Sequence, residues 1–131
     1  MIAVSELDKL AQARLEDAKA LLAASRLDAA TYLCGYAVEV ALKARICRVL
    51  NWPDFPSTGG EFHAYRSFQT HDLDVLLRLS GQEPRVKHEH FELWNAAAKW
   101  RSEHRYNAIG TVERTNAEAM VQAAGKLLEI L

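Results

Sequence analysis

No run of about eighteen apolar residues occurs anywhere in the 131-residue chain, so no segment is a candidate for a bilayer-spanning helix. The opening MIAVSELDKL turns polar too soon for the apolar core of a signal peptide, and the expected location is the cytoplasm. Cysteine is scarce: Cys34 and Cys47 are the only two. Both sit among apolar residues of one segment, and neither belongs to a CxxC pair or a metal-type spacing. Buried reduced thiols are expected, rather than a disulfide or a metal site. Charge of one sign is missing too, since the formal net charge is -1. Without a basic body, any contact with a polyanion has to come from a local cluster.

What is present is periodicity. Half the residues are hydrophobic and a quarter are charged, with the signs interspersed and the apolar positions at helical intervals. That pattern argues for a folded core over disorder, and the length suits one domain over residues 1–131. From Ser5 to about Ser25, Leu7, Leu10, Ala11, Ala18, Leu21 and Leu22 return every three or four residues, with Ser5 and Asp8 imitating a capping box. Arg14 interrupts this stripe, and its stem is expected to pack while its head reaches water. A break at Arg26-Leu27-Asp28, with Asp28 as cap, leads into a longer helix to about Leu50 that turns Leu33, Ala37, Val40, Ala41, Ala44 and Ile46 or Cys47 inward. Gly35 inside it costs about 1 kcal/mol relative to alanine, which is acceptable where a neighbouring backbone comes close. Glu39 and Lys43 stand four residues apart in the favourable order, a solvated pair worth about 0.2 to 0.5 kcal/mol.

Residues 51–69 hold Trp52, Pro53, Pro56 and Gly59-Gly60, which exclude a regular helix. The aromatics Trp52, Phe55, Phe62, Tyr65 and Phe68 in this long loop predict a lid packed on the bundle, or a surface covered by a partner. Thr70 is placed to cap a short helix bearing Leu73, Leu76, Leu77 and Leu79, ended by Ser80-Gly81. Pro84 opens a helix carrying Val86, His90, Phe91, Trp94, Ala97, Ala98 and Trp100 and running into Arg101-Ser102-Glu103-His104. Asn107 to Gly110 breaks it, and Thr115 with Glu118 forms a capping box for a last helix through Leu131. The predicted fold is all-α, an up-down antiparallel bundle of four main helices plus a short helix near residues 71–80.

Three stretches together resemble the HEPN (higher eukaryotes and prokaryotes nucleotide-binding) family. They are the helix Ala30-Thr31-Tyr32 through Gly35-Tyr36-Ala37-Val38-Glu39-Val40-Ala41-Leu42-Lys43-Ala44, then His71-Asp72-Leu73-Asp74-Val75-Leu76-Leu77, then Trp100 followed by Arg105-Tyr106. The resemblance covers nearly the whole chain and implies an up-down helical bundle. It also implies a homodimer, a nucleotidyltransferase partner and a nucleotide or RNA ligand. Many members resemble metal-independent ribonucleases that use an arginine, four to six intervening residues, a histidine, and often a tyrosine two residues further on. His104 and Tyr106 take the histidine and tyrosine places here, which puts Lys99 on the arginine and Trp100 on the polar residue after it. A lysine keeps the spacing but replaces a planar five-donor fork by a point charge. The literal match, Arg85 to His90, spans five helical positions, which turns the two side chains about 140 degrees apart. His88 and His90, two residues apart, point to nearly opposite sides, so no metal site is expected from them.

If the helix persisted through this region, Arg101, His104 and Arg105 would share one face, and the crowded like charges would ask for an anion. One functional class is a binding or regulatory module in which Arg101 and Arg105 neutralise phosphate, Trp100 or Tyr106 stacks a base, and His104 contacts the ligand. A second is an endoribonuclease toxin, held by an antitoxin, with His104, Lys99 and Tyr106 as catalytic residues and no cofactor. The third is a scaffold without ligand, its arginines paired with Glu39, Glu103 or a facing helix and its Trp100 and Tyr106 buried in the core.

Overall fold

Leu7, Ala11, Leu15 and Ala18 are buried along one side of a helix spanning Val4–Ala23 (α1) in the computed structural model, which describes residues 1–131. Ser25 takes a left-handed turn with φ 61°. The chain then reverses into α2, Leu27–Leu50. The two helices form an αα-hairpin, tied across by Arg48 of α2 on Asp8 of α1. The expected Ser5–Asp8 capping box is absent, because α1 begins one residue earlier with no side-chain cap and the Asp8 carboxylate is spent on Arg48. The Arg14 guanidinium reaches the surface, where it pairs with Asp17 at 2.6 Å.

α2 is the central element, touching α1, the short helix α3 (Leu73–Leu79), the C-terminal helix α6 (Arg114–Ile130) and the turn at residues 102–106. It therefore buries residues around most of its circumference, Cys34, Val38 and Leu42 included, where the sequence pattern suggested one inward stripe. Asn51 stops it with φ 57°, and the amide of Trp52 reaches back to the Cys47 carbonyl at 2.8 Å, a left-handed cap that asparagine tolerates. Both cysteines are free and buried, as expected. Burial pushes the Cys34 thiol up to about 12 and the Cys47 thiol up to about 11, so neither is a thiolate at neutral pH.

The segment after α2 is a packed lid. Ile2–Ala3 (β1) pairs antiparallel with Asp54–Phe55 (β2), Ile2 opposite Phe55. Trp52 contacts Phe55, Tyr65 and Phe68, and Phe55 contacts Phe62, so the aromatics close on one another and on the core. α3 is capped by Asp72, which accepts from the amides of Asp74 and Val75, while Thr70 accepts from the Asp72 amide one step outside. Gly81 ends this stretch with φ 73°.

The rod expected from Pro84 to His104 is two short helices, α4 (Glu83–Glu89) and α5 (Phe91–Ala98), broken at His90 with φ -131°. Val86 and Trp94 both face inward across the break, and the Trp94 indole donates to Asp74 of α3 at 2.9 Å. Phe91, expected inside, is exposed. Arg85 donates to Gln82 and to the Ile130 carbonyl, where it caps the end of α6. α6 itself starts without a side-chain cap, and Thr115 and Glu118 lie inside its first turns. The all-α helical bundle stands, with one of its expected rods in two pieces. No helix is long and apolar enough to cross a membrane.

Candidate functional site

The chain leaves α5 at Lys99 because the next residue is wanted elsewhere. Trp100 is 3 % exposed and lies against Gly35 of α2, where an added Cβ would sit 2.1 Å from the indole. The glycine thus admits a side chain, not the neighbouring backbone that the sequence suggested. The indole donates its Nε1–H to the Tyr32 carbonyl at 3.1 Å, and the Tyr32 ring lies tilted against it at 5.8 Å between centroids. With Trp100 as anchor, Arg101 is extended and Ser102–Tyr106 forms a 3-10 turn. Arg101, His104 and Arg105 therefore do not share an α-helical face.

This turn walls a cleft of about 290 Å3 between the start of α2 and the loop at residues 107–112. Trp100 makes its floor, Tyr32, Thr31 and Asp28 of α2 one side, and His104, Arg105 and Asn107 the other. Asp28 is not the helix cap. Its carboxylate accepts the amides of Gly110 at 2.7 Å and Val112 at 3.2 Å and so pins the far loop onto α2. That spends the acid on neutral donors and leaves the cleft's cation unpaired. Thr31 turns a buried hydroxyl oxygen into the structure with no hydrogen-bond partner.

None of Lys99, Arg101 and Arg105 is paired with a carboxylate: Glu39 binds Lys43 and His71, and Glu103 binds no cation. The solvated pairing expected for Glu39 and Lys43 is overturned, since Glu39 is 2 % exposed. Tyr32, and after it Tyr106, push the Arg105 guanidinium's pKa up, and the Tyr106 ring lies 5.0 Å from it. Arg101 has turned its guanidinium onto the Ala98 and Trp100 carbonyls, both at 3.1 Å, which braces the end of α5. The His104 ring accepts the Arg101 amide at Nδ1, 3.3 Å away. An acceptor nitrogen carries no hydrogen, so we assign the neutral ring to the Nε2–H form. No three His, Cys, Asp or Glu side chains converge into a metal-binding group.

Of the residues singled out in the sequence, His104, Arg105 and Trp100 meet in the cleft, and Arg101 braces it from outside. Lys99 is exposed at the end of α5 and does not line the cleft. Tyr106 is 78 % exposed beside Arg105, not in the core, and Trp100 is too deeply seated to stack a base. The chain matches no family model, no curated protein and no solved structure. Asp28, Thr31, Tyr32 and Asn107 were not legible as site residues. Their one signal is that Asp28, Thr31 and Tyr32 stand three and four apart on the first turns of α2, a face that becomes meaningful only once Trp100 is known to land there.

The Asp28 clamp carries its own expectation. Asp28→Ala should cost about 1 to 2 kcal/mol by stranding two amides. Hydrogen exchange at Gly110 and Val112 should accelerate well beyond that at the centre of α2, and equal acceleration throughout would mean that the clamp is not local.

Proposed function

We propose that the chain is a binding module for the phosphates of nucleotides or RNA, with the cleft between α2 and residues 100–112 as its site. The observation that carries this reading is Arg105: an exposed guanidinium at a cleft edge, flanked by Tyr32 and Tyr106, with no acid of its own. A guanidinium placed this way offers its fork to a phosphate, His104 adds an Nε2–H donor, and the exposed Tyr106 ring supplies a stacking face. Arg101 contributes charge nearby while holding the end of α5. The resemblance to HEPN proteins extends the proposal to a cytoplasmic homodimer acting beside a nucleotidyltransferase.

The ribonuclease reading is the weaker one. His104 holds its hydrogen on Nε2 and its lone pair against the Arg101 amide, an arrangement that donates to an anion and does not take a proton from a ribose hydroxyl. Lys99 stands off the cleft.

Fluorescence anisotropy of a labelled single-stranded RNA, titrated between 50 and 200 mM salt, tests the proposal. Affinity should fall steeply with salt. Arg101→Ala with Arg105→Ala should weaken binding at least tenfold and flatten the logarithmic salt slope by at least about 0.7, the share of the one phosphate contact that Arg105 makes on a single strand. Binding untouched by the double substitution removes the proposal. Cleavage of the same RNA in EDTA that disappears in His104→Ala would put the toxin reading in its place.

A further inference from the structure

Further along α2 from Trp100's seat, a second cleft of about 290 Å3 opens between α1, α2 and the lid. Its polar end is built around Glu39. That carboxylate receives Lys43 Nζ at 2.9 Å on one oxygen and the His71 ring nitrogen Nδ1 at 3.1 Å on the other. A carboxylate only accepts, so Nδ1 carries the hydrogen and Nε2 of this largely exposed ring faces outward. Both Glu39 oxygens are thus engaged within the chain, and the carboxylate serves as the counter-ion that holds Lys43 at the end of the cleft.

The capacity left over belongs to Lys43. Lys43 is 16 % exposed, gives one N–H to Glu39 and lies 5.5 Å from the centre of the Phe55 ring, which leaves donors without a partner in the chain. Tyr36 adds a hydroxyl, kept neutral because burial, and next to it the Glu39 charge, push its pKa up. The apolar walls are Leu7, Leu10, Phe55 and Phe62, with Ser57, Gln69 and Thr70 as polar lining. An ammonium with free donors above apolar walls is matched by one negative charge on an apolar body. A hydrated dianion such as phosphate is disfavoured twice, by those walls and by the Glu39 charge a few ångströms away. At ~30 Å3 for a water-sized group, the cleft takes roughly ten heavy atoms.

We propose that this cleft binds a small organic monocarboxylate, its carboxylate on Lys43 and the Tyr36 hydroxyl and its aliphatic or aromatic body between Leu10, Phe55 and Phe62. The site is independent of the anion cleft at Arg105, because the two share no lining residue.

Isothermal titration calorimetry with octanoate, octan-1-ol and octylamine tests it on the whole chain. Octanoate should saturate one site and bind at least tenfold more tightly than octanol, with octylamine weakest. Lys43→Met should remove that preference. Leu10→Trp, which fills the cleft from a half-buried position and leaves the ion pairs alone, should weaken octanoate at least tenfold. Arg105→Ala should leave octanoate binding unchanged. Octanoate no tighter than octanol on the unaltered protein overturns the proposal, as does undiminished octanoate binding in Leu10→Trp.

Discussion

Gly35→Ala is expected to destabilise the protein by about 2 to 4 kcal/mol, although alanine is the better helix former by about 1 kcal/mol. The new Cβ would lie 2.1 Å from two carbons of the Trp100 ring, and an indole is rigid. The ring must leave its seat or α2 must shift. Overpacking of this kind costs about 1 to 3 kcal/mol, and expelling a buried tryptophan about 3 to 5. Urea unfolding measures the loss. Because Trp100 anchors the turn that carries His104 and Arg105, RNA affinity should fall with it, even though neither altered residue is charged. Trp100→Leu makes room for the methyl group, so Gly35→Ala should cost at least about 1 kcal/mol less in that background, a coupling characteristic of residues in contact. An alanine variant as stable as the parent would show that the glycine is not there for the indole.

That contact explains why the helical body was readable in the sequence and the site was not. Spacing of leucines and alanines is a local property, and it located α1, α2, α3 and α6 to within a few residues. The segment from Pro84 to His104 also carries a helical pattern. It breaks all the same, because Trp94 must reach Asp74 and Trp100 must reach Gly35, partners 20 and 65 positions apart in the chain. Long-range demands of this sort override local period. Once α5 stops at Ala98, the shared arginine face dissolves, Arg101 turns back to brace carbonyls and Arg105 alone stays at the cleft. Two expected caps failed for a similar reason: the Asp8 and Asp28 carboxylates found partners on other elements. Where the residue types alone mattered, as with the two inert thiols and the aromatic lid, the sequence reading and the structure agree.

The largest single loss outside the Trp100 seat is expected from Lys43→Met, about 3 kcal/mol by denaturant unfolding. The methionine matches the lysine stem in size and apolar contact, so packing is nearly preserved and what disappears is the charge. The buried Glu39 then keeps only His71, whose ring is largely in water and screened. A buried carboxylate stripped of its main partner carries a desolvation penalty that nothing repays, and breaking such pairs one-sidedly costs about 3 to 5 kcal/mol. Removing both charges together should behave differently. Glu39→Leu with Lys43→Met replaces the pair by apolar groups of similar volume and should return the stability to within about 1 kcal/mol of the parent, or above it. If the double variant is as tolerant as that, the ion pair is not what holds α2 to the lid, and its retention answers to the cleft it furnishes. If the double variant falls as far as the single one, the Lys43 ammonium is needed by the fold itself, through Phe55 and the segment that β2 supports.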